Sequence, residues 1–293
     1  MPPGLTALQE DLIGWWAASG RDLPWRATRD PWAVLVSELM LQQTQVPRVV
    51  ERWPLFLEQF PSPTACAESP VGDVVRAWAG LGYNRRAVNL HRAARAVVER
   101  HGGALPDDLA ALLALPGVGP YTARAVLVFA FERDIGLVDT NAGRFVARAG
   151  AGRALAAREA QVAADGLVPE GMGWAWGSAV FDLGALVCRR RVPVCSSCPV
   201  VGSCAWARAG WPEPDPVTGS AGISGGQPPF DGSDRQGRGR LVDALRAGPV
   251  PVDRLPSATG WPEDPGRATR AAAGLVRDGL AAWSPDGTAL LLP

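Results

Sequence analysis

The most informative absence in this sequence is lysine. The chain has 293 residues, and all 29 of its basic residues are arginine. A Schiff base on a lysine therefore cannot form, which excludes the covalent mechanisms that depend on one. The arginines are matched by 29 acidic residues, so the formal net charge is zero. Overall charge thus does not indicate a nucleic-acid partner, and only the distribution of charge can.

Long apolar runs are also missing. No stretch approaches the roughly 18 uninterrupted apolar residues of a membrane span. The N-terminal MPPGLTALQEDLIGWW has no basic segment followed by an apolar one. We therefore expect a soluble, cytoplasmic protein with no membrane partner.

Cysteine is scarce, but Cys188, Cys195, Cys198 and Cys204 fall in one short segment. Their spacing, C-x6-C-x2-C-x5-C, indicates a cofactor in a reducing compartment rather than a disulfide framework. Thiolate ligands select either zinc or an iron–sulfur cluster, and the spacing alone leaves both open. The fifth cysteine, Cys66, is expected to be an inert core thiol.

A run of arginines lies inside the first loop of this cysteine segment, at Arg189, Arg190 and Arg191. Such a run is either a solvated stretch of surface or a site for phosphate. If a metal centre holds the loop rigidly, the guanidinium groups form a fork that fits a phosphate group.

Apolar residues recur at spacings of three and four from residue 5 to about 210. This pattern predicts ten helices and no strand. Residues 211–235 are rich in Pro, Gly and Ser and predict a flexible linker. In residues 236–293, two further helices precede an Asp286-Gly287 hairpin signal, an order typical of a winged-helix-like module.

A glycine hairpin is predicted in LPGVGPYTA, where Pro120 opens a helix directly after Gly117, Val118 and Gly119. The turn would present the free N–H groups of these three residues at a helix N-terminus, where an anion such as a DNA phosphate is favoured. An ordinary corner between two helices is the alternative. Asp139 follows in VDTN, either as a helix N-cap or as a carboxylate directed into a cleft.

The predicted helix over 30–46 carries a glutamate, Glu38, on an otherwise apolar face. A buried carboxyl has a raised pKa and can serve as a general acid, whereas a glutamate at the margin of an amphipathic helix has no such role. Gln42, Gln43 and Thr44 follow at once. Polar side chains of this kind are costly in a core but suit contact with the edges of nucleic-acid bases.

A second glycine-framed turn occurs in AGLGYNRRAVNLH. It places Tyr83 beside Arg85 and Arg86. An aromatic side chain next to arginines fits insertion into a base stack with phosphate contacts around it, although core packing of the tyrosine is equally compatible with the pattern.

Taken together, these motifs resemble the helix-hairpin-helix DNA glycosylases with an iron–sulfur cluster, the superfamily of endonuclease III, and within it the MutY-type adenine glycosylases. The resemblance covers about residues 5–210. It rests on SELMLQQTQV, GLGYNRRA, LPGVGPYTA, VDTN, DLGALVC and the cysteine spacing, which occur in the family's order.

The resemblance implies a mainly α fold: a helix-hairpin-helix glycosylase domain of two helical subdomains with an iron–sulfur cluster loop. The six-helix subdomain would span about 26–132, and 1–25 with 133–210 would form the cluster subdomain. The linker at 211–235 and the winged-helix-like module at 236–293 would complete the chain. The four clustered cysteines would then hold a [4Fe-4S] cluster.

The resemblance also implies roles for single residues. Glu38 matches the acid that protonates adenine N7, and Asp139 matches the carboxylate that stabilises the oxocarbenium-like sugar. Tyr121 and Asn141 match residues that support this sugar intermediate and the hydrolytic step. Gln43 and Tyr83 match side chains that wedge into the duplex. In the lyase-competent branch of the family a lysine stands where this chain has Tyr121, so the expected enzyme is monofunctional.

The expected function is base excision repair by a monomer in the cytoplasm, at the nucleoid. It would flip adenine mispaired with 8-oxoguanine or guanine out of double-stranded DNA and leave an abasic site. The sequence departs from the family at Thr140, where glycine is common, at Asn84, where a second tyrosine is common, and in lacking a Nudix-related C-terminal domain. Two alternatives therefore stay open: a mismatch glycosylase for thymine or another base, and a non-catalytic iron–sulfur regulator that binds DNA and senses redox state.

Overall fold

The computed structural model describes residues 6–220 and 229–293, and these residues are predominantly helical. The helices, in chain order, are α1 (Ala7–Ser19), α2 (Pro31–Leu41), α3 (Val46–Gln59), α4 (Pro63–Glu68), α5 (Val71–Ala77), α6 (Arg85–His101), α7 (Leu109–Leu113), α8 (Pro120–Phe129), α9 (Thr140–Phe145), α10 (Ala157–Gly166), α11 (Gly173–Leu186), α12 (Ala205–Arg208), α13 (Asp234–Ala247), α14 (Leu255–Thr259) and α15 (Pro265–Arg277). The strands are β1 (Val250–Pro251), β2 (Ala282–Trp283) and β3 (Ala289–Leu291). The predicted mainly helical class is confirmed.

The structure differs from the predicted helices in two informative places. The helix expected over 30–46 ends at Leu41, and residues 42–45 form a turn before α3 begins. Pro47 in the first turn of α3 favours this new start, because proline suits a helix N-terminus and not its interior. The short helices α4 and α12 were not among the ten predicted. Within the described part of the chain, no helix is long and apolar enough to cross a membrane.

The described residues divide into two compact units. The first consists of residues up to 34, 107–109 and 119–220, and the second of 35–106, 110–118 and 229–293. Residues 119–132, predicted in the six-helix subdomain, thus group with the cysteine segment. The C-terminal residues group with the helices from α3 to α6.

The first unit is built around one apolar cluster that joins its N-terminal helix to α9 and α11. Leu12, Phe145, Trp176 and Leu183 are buried there, and the rings of Phe145 and Trp176 meet edge to face with centroids 5.8 Å apart. Edge-to-face packing of this kind adds to the stability gained from burial alone.

A buried carboxylate reinforces this junction. The side chain of Asp182 on α11 is fully buried and accepts hydrogen bonds from Arg26 at 2.8 and 2.9 Å and from Arg21 Nε at 2.6 Å. Trp16 Nε1 on α1 donates to the same carboxylate at 3.1 Å. Burial by itself would raise the pKa of Asp182, but these donors outweigh it and the pKa is lowered.

The second unit has its own core. Phe56 packs against Phe60 and Trp78 with centroid distances of 4.9 and 5.8 Å, and all three side chains are buried. The long helix α6 packs against α4 and α5 and ends at Gly102, whose φ of 62° is the left-handed conformation that glycine adopts readily at a helix C-terminus.

Residues 229–293 form a small module within the second unit. Its elements follow the order α13, β1, α14, α15, β2, β3, and the strands make an antiparallel sheet in the order β1-β3-β2. The predicted Asp286-Gly287 hairpin connects β2 to β3, with Gly287 at φ 71°. We call residues 229–293 the C-terminal module; its description as winged-helix-like stays a prediction.

Candidate active site

The glutamate singled out in the sequence lies on a helix that is buried along most of its length. In α2 every residue from Trp32 to Met40 is buried, and Glu38 is 4% exposed. Glu38 is thus buried, as the sequence indicated, while its role as a general acid stays a prediction. Glu38 belongs to the second unit, whereas Asp139, Tyr121 and Asn141 belong to the first.

The two residues that the family resemblance identifies as wedges share an unusual backbone conformation. Gln43 has φ 57° and Tyr83 has φ 46°, both in the left-handed region that side chains other than glycine rarely adopt. Gln43 is exposed, and 44% of the Tyr83 side chain is exposed. Strained residues of this kind persist only where neighbours enforce them, and they concentrate at functional sites.

Arg86 binds the backbone beside both strained residues. Its Nη1 donates to the carbonyls of Leu39 at 2.6 Å, of Met40 at 2.9 Å and of Gln42. Its Nη2 donates to the carbonyls of Leu81 and Gly82. One guanidinium thus caps the C-terminal end of α2 and joins the turn of Gln43 to the turn of Tyr83.

This finding corrects one sequence expectation. Arg86 was expected to contact DNA phosphates together with Arg85, but its side chain is buried and its donors are engaged within the protein. Arg86 therefore has a structural role. Arg85 is exposed and keeps the predicted one. Thr44, predicted to contact DNA, is half-buried and its hydroxyl donates to the Leu81 carbonyl at 2.9 Å, so it too joins the two turns.

The predicted glycine hairpin is present, and its two glycines differ. Gly117 has φ 80°, and a Cβ atom there would lie 2.6 Å from Cβ of Asn89. Gly119 is the N-cap of α8 with φ −91°, and a Cβ there would meet no atom within 4 Å. The N–H of Val118, expected to be free, donates to the Leu115 carbonyl at 3.1 Å. The part of the hairpin open to an anion is therefore centred on Gly119.

Asp139 caps helix α9. Its Oδ1 accepts hydrogen bonds from the N–H groups of Asn141 at 2.8 Å and Ala142 at 2.7 Å, and its Oδ2 accepts one from the Asn141 side chain at 3.3 Å. Burial raises the pKa of Asp139 above its usual value, although these three donors and the charge of Arg144 oppose the rise. Both predicted roles, the cap and the directed carboxylate, are compatible with this geometry.

A buried arginine connects this cap to the cysteine segment. Arg144 donates from Nη2 to Oδ1 of Asn141 at 2.8 Å and to the Gly184 carbonyl at 2.6 Å, and from Nε to the Cys188 carbonyl at 3.0 Å. The close approach requires glycine at 184, where a Cβ would lie 2.8 Å from Cβ of Asn141. Since its amide oxygen is held by Arg144, Asn141 directs its NH2 group at Asp139.

The four predicted ligands Cys188, Cys195, Cys198 and Cys204 line one cavity with Arg148 and Trp206. Among the residues that the structure describes, no three potential ligands converge closely enough to hold a single metal ion. Burial raises the pKa of the Cys198 thiol to about 11. Buried thiolates therefore need positive charge nearby.

Arg148 holds the start of this cysteine segment. Its side chain is 2% exposed, forms an ion pair with Asp215, and donates to the carbonyls of Arg189 at 2.7 Å and Arg190 at 3.1 Å. The side chains of Arg189, Arg190 and Arg191 are exposed. The backbone of the arginine run is thus fixed, while its guanidinium groups face solvent.

Asp215 lies in the segment that was expected to be a flexible linker. Asp215 forms an ion pair with Arg148. Val217, two residues later, is buried, and the Ser220 hydroxyl accepts a hydrogen bond from the Leu155 N–H at 3.1 Å. Residues 215–220 are therefore packed within the first unit. Residues 221–228 of the predicted linker lie outside the described residues.

The remaining candidates, Tyr121 and Gln42, stay predictions, and the arginines that support the site were not predicted from the sequence. Tyr121 is half-buried at the start of α8, with its ring 6.3 Å from that of Phe181. Gln42 is half-buried in the turn after α2. Arg144 and Arg148 escaped notice because arginines in a helical run are usually solvated. The signal that could have marked them is the small, apolar sequence around them, AGRFVARAG.

Comparison with known proteins is specific. Residues 36–169 match the family described as "HhH-GPD superfamily base excision DNA repair protein". The chain is 43% identical over 287 residues to an adenine DNA glycosylase of Mycobacterium tuberculosis, covering 94% of this chain and 91% of the relative. It is 39% identical to an adenine DNA glycosylase of Mycolicibacterium smegmatis, covering 94% and 93%. Among solved structures, a thermostable thymine-DNA glycosylase matches with a TM-score of 0.62 at 28% identity, covering 68% of this chain and 94% of that one.

Proposed function

The chain belongs to the HhH-GPD superfamily of base excision DNA repair proteins, and we propose that it is a DNA glycosylase that hydrolyses adenine from mispaired duplex DNA. The observation that carries this proposal is the similarity to adenine DNA glycosylases over nearly the whole length of both chains. We propose further that it acts as a monomer at the nucleoid on adenine opposite 8-oxoguanine or guanine.

In the proposed chemistry, Glu38 donates a proton to N7 of the flipped adenine. A carboxyl in buried, apolar surroundings is more easily kept protonated than an exposed one, and 4% exposure of Glu38 supports this assignment. Protonation makes the base a better leaving group. The bond between the base and C1′ of the sugar then breaks, and its electron pair goes to the departing adenine.

Asp139 is proposed to stabilise the positive charge that develops on the sugar. Its three hydrogen-bond donors supply fixed dipoles that favour the ionised carboxylate, and the cap geometry fixes its position. Water then adds to C1′ and releases one proton to solvent, with Tyr121 and Asn141 in supporting roles, and an abasic site is left. Because the chain has no lysine, lysine-dependent strand cleavage does not follow.

We propose that the protein holds DNA through phosphate contacts, which do not depend on base sequence, and that two strained turns open the duplex. Gly119 at the N-terminus of α8, Arg85 and the exposed run from Arg189 to Arg191 would contact phosphates. Gln43 and Tyr83 would enter the duplex around the mispair. Flipping costs a few kcal/mol and least at a mispair, so these contacts must offset a modest penalty.

The cysteine segment is proposed to hold a [4Fe-4S] cluster, as the resemblance implies. The four side chains surround one cavity without converging on a point. Four thiols lining one cavity are a donor set that fits a [4Fe-4S] cluster. When bound, the cluster would supply positive charge to buried thiolates and rigidity to the loop that carries Arg189, Arg190 and Arg191.

The decisive experiment is single-turnover base release from duplexes carrying A:8-oxoguanine, A:G and T:G pairs. We expect release of adenine from the first two, and loss of release with DNA binding retained in Glu38→Gln and in Asp139→Asn. Glu51→Gln, which alters an exposed glutamate of the same unit, should retain wild-type rates. Normal release by Glu38→Gln would contradict the proposed acid.

Thymine is the second candidate base, because one of the similar solved structures is a thymine-DNA glycosylase. Faster release of thymine from T:G than of adenine from either adenine mispair would favour it. A regulator without catalysis predicts no base release from any duplex and an unchanged function in Glu38→Gln.

A further inference from the structure

The C-terminal module contacts the turn that carries Tyr83, which we define as residues 80–85 and call the Tyr83 turn. Arg246 on α13 donates from Nη2 to Oδ1 of Asn84 at 2.8 Å. Arg235 on the same helix lies 3.5 Å from the Tyr83 hydroxyl. Asp278, directly after α15, lies 3.7 Å from Arg85. The module thus contacts three consecutive residues, Tyr83, Asn84 and Arg85.

Two further contacts anchor the module beside this turn. The carbonyl of Pro293 accepts a hydrogen bond from the Gly72 N–H at 2.9 Å, and the approach is so close that a Cβ on Gly72 would lie 2.6 Å from that oxygen. Gly279 faces α6, where a Cβ would lie 3.4 Å from Val88. The contacts therefore extend over α5 and α6, on both sides of the Tyr83 turn.

Arg246 is the most enclosed of these contacts. Its side chain is 12% exposed, Nε donates to the Val75 carbonyl at 3.0 Å, and Nη1 pairs with Asp243 at 2.5 Å. One guanidinium thus ties α13 to the C-terminal half of α5 and to the turn that follows it. A planar group with donors on three nitrogens can make such a connection, whereas the point charge of a lysine cannot.

The side chain of Asn84 is committed to this connection. Asn84 is the N-cap of α6, a position at which asparagine normally accepts a hydrogen bond from the N–H two or three residues later. It makes no side-chain capping bond here. Its amide oxygen binds Arg246 instead, although the neighbouring Tyr83 keeps a strained φ of 46°.

We propose that the C-terminal module braces the Tyr83 turn, and that Arg246, acting through Asn84, is a positioning residue for the insertion of Tyr83 at a mispair. The proposal rests on the proposed function for the role of Tyr83. A residue that holds a strained turn in the conformation needed for DNA lowers the cost of binding, because less ordering is needed when the complex forms.

The test uses the full chain and compares Arg246→Ala with Arg254→Ala, which alters an exposed arginine of the same module. Equilibrium binding is measured on an A:G duplex and on the matched duplex. We expect Arg246→Ala to weaken binding to the A:G duplex about tenfold, as loss of a charge-assisted hydrogen bond would, and to leave matched-duplex binding within about twofold. Asn84→Ala, which removes the same bond from its other end, should reproduce the loss if Arg246→Ala fails to fold.

A double-mutant cycle separates positioning from general support of the fold. In the Tyr83→Ala background, Arg246→Ala should cause no further loss, because the residue it positions is gone. Equal loss on both duplexes, additive losses in the double variant, or an unchanged Arg246→Ala protein would overturn the proposal. If Tyr83→Ala alone leaves A:G binding unchanged, the wedge in the proposed function is wrong. Amide exchange then decides on the brace: faster exchange at residues 80–85 in Arg246→Ala but not in Arg254→Ala supports it, and unchanged exchange refutes it.

Discussion

Arginines stabilise both units of the molecule, but Arg26 and Arg148 in the first unit and Arg86 in the second lie in opposite electrostatic surroundings. In the first unit, Arg26 pairs with Asp182 and Arg148 pairs with Asp215. In the second unit, the hydrogen-bond partners of Arg86 among the described residues are backbone carbonyls and one hydroxyl, all of them neutral. The pKa values follow this difference: burial lowers the pKa of Arg86 to about 10, whereas Asp215 and Cys188 raise that of Arg148 despite its burial.

The difference indicates two uses of the same side chain. Where a carboxylate compensates the charge, the arginine joins elements into a core, and removing either partner leaves a buried charge. Where the acceptors are neutral, the arginine bears the cost of desolvation in order to fix the positions of many carbonyls at once. The first arrangement supports the fold, and the second holds two strained turns.

The largest effect is expected from removing a compensating carboxylate. Asp182→Asn leaves Arg26, whose side chain is 12% exposed, without its anion and should lower the free energy of unfolding by about 3 kcal/mol, measured by urea denaturation. Asp107→Asn, which alters the exposed Asp107–Arg133 pair, should cost under about 0.5 kcal/mol. If the two variants were equally stable, compensation of charge would not be what distinguishes the first unit.

The pH dependence of the same variant follows from the sign of the pKa shift. Because the pKa of Asp182 is lowered in the folded state, its contribution is fully present above the pKa of the unfolded carboxyl, about 4. That contribution is lost as the pH falls toward the lower folded pKa. The wild-type protein should therefore lose stability on acidification below about pH 4 more steeply than Asp182→Asn does.

Arg144 is the intermediate case, because it binds neutral oxygens and lies near the charge of Asp139. Arg144→Lys keeps a charge but cannot reach Asn141, Gly184 and Cys188 together. We expect base release to slow on the order of 100-fold, as for a misplaced catalytic group, with binding to an A:G duplex nearly unchanged. Arg153→Lys, at an exposed site, is the control. If Arg144→Lys instead weakened DNA binding and left the rate of base release unchanged, Arg144 would have a structural role like that of Arg86 and would not support the catalytic Asp139.

Arg86 and its neighbour Arg85 test the second half of the comparison. Arg86→Met leaves several buried carbonyls without donors and should lower the free energy of unfolding by about 2 kcal/mol. Arg85→Met should leave stability within about 0.5 kcal/mol and weaken DNA binding, since the side chain is exposed. Denaturation and binding to an A:G duplex measure the two effects. If Arg85→Met were unstable, Arg85 would have a structural role, and the assignment of different roles to the two arginines would be wrong.

Much of this molecule could be predicted from the sequence, and the failures have a common physical cause. The helical periodicity located the long helices, and the burial of Glu38 followed from its apolar face. The two residues of the pair Arg85–Arg86 could not be told apart, because burial depends on where α6 places each side chain and not on residue type. Cys66 was predicted as a core thiol and is buried, with a pKa raised to about 12.

Local sequence patterns do not indicate contacts between residues that are distant in the chain. Asp215 lies in a segment rich in proline and glycine, which favours disorder locally, and its ion pair with Arg148 is a long-range contact that such a local pattern does not reveal. The Asn84–Arg246 bond joins residues 162 positions apart. The sequence marked Asn84 only as a departure from the family.

The smallest effect tests whether backbone geometry, rather than charge, separates two residues of one hairpin. Gly117→Ala forces an alanine into a φ of 80° and places its Cβ 2.6 Å from Asn89, so it should lower the free energy of unfolding by about 1–2 kcal/mol. Gly119→Ala meets open space at a φ of −91° and should leave stability nearly unchanged.

Yet the added methyl group would lie where we propose that a phosphate approaches α8, so Gly119→Ala should weaken DNA binding while remaining fully folded. Thermal unfolding and DNA affinity, measured on both variants, would separate the two glycines. If the loss of DNA affinity were proportional to the loss of stability in both variants, the hairpin would affect DNA binding only through the stability of its fold.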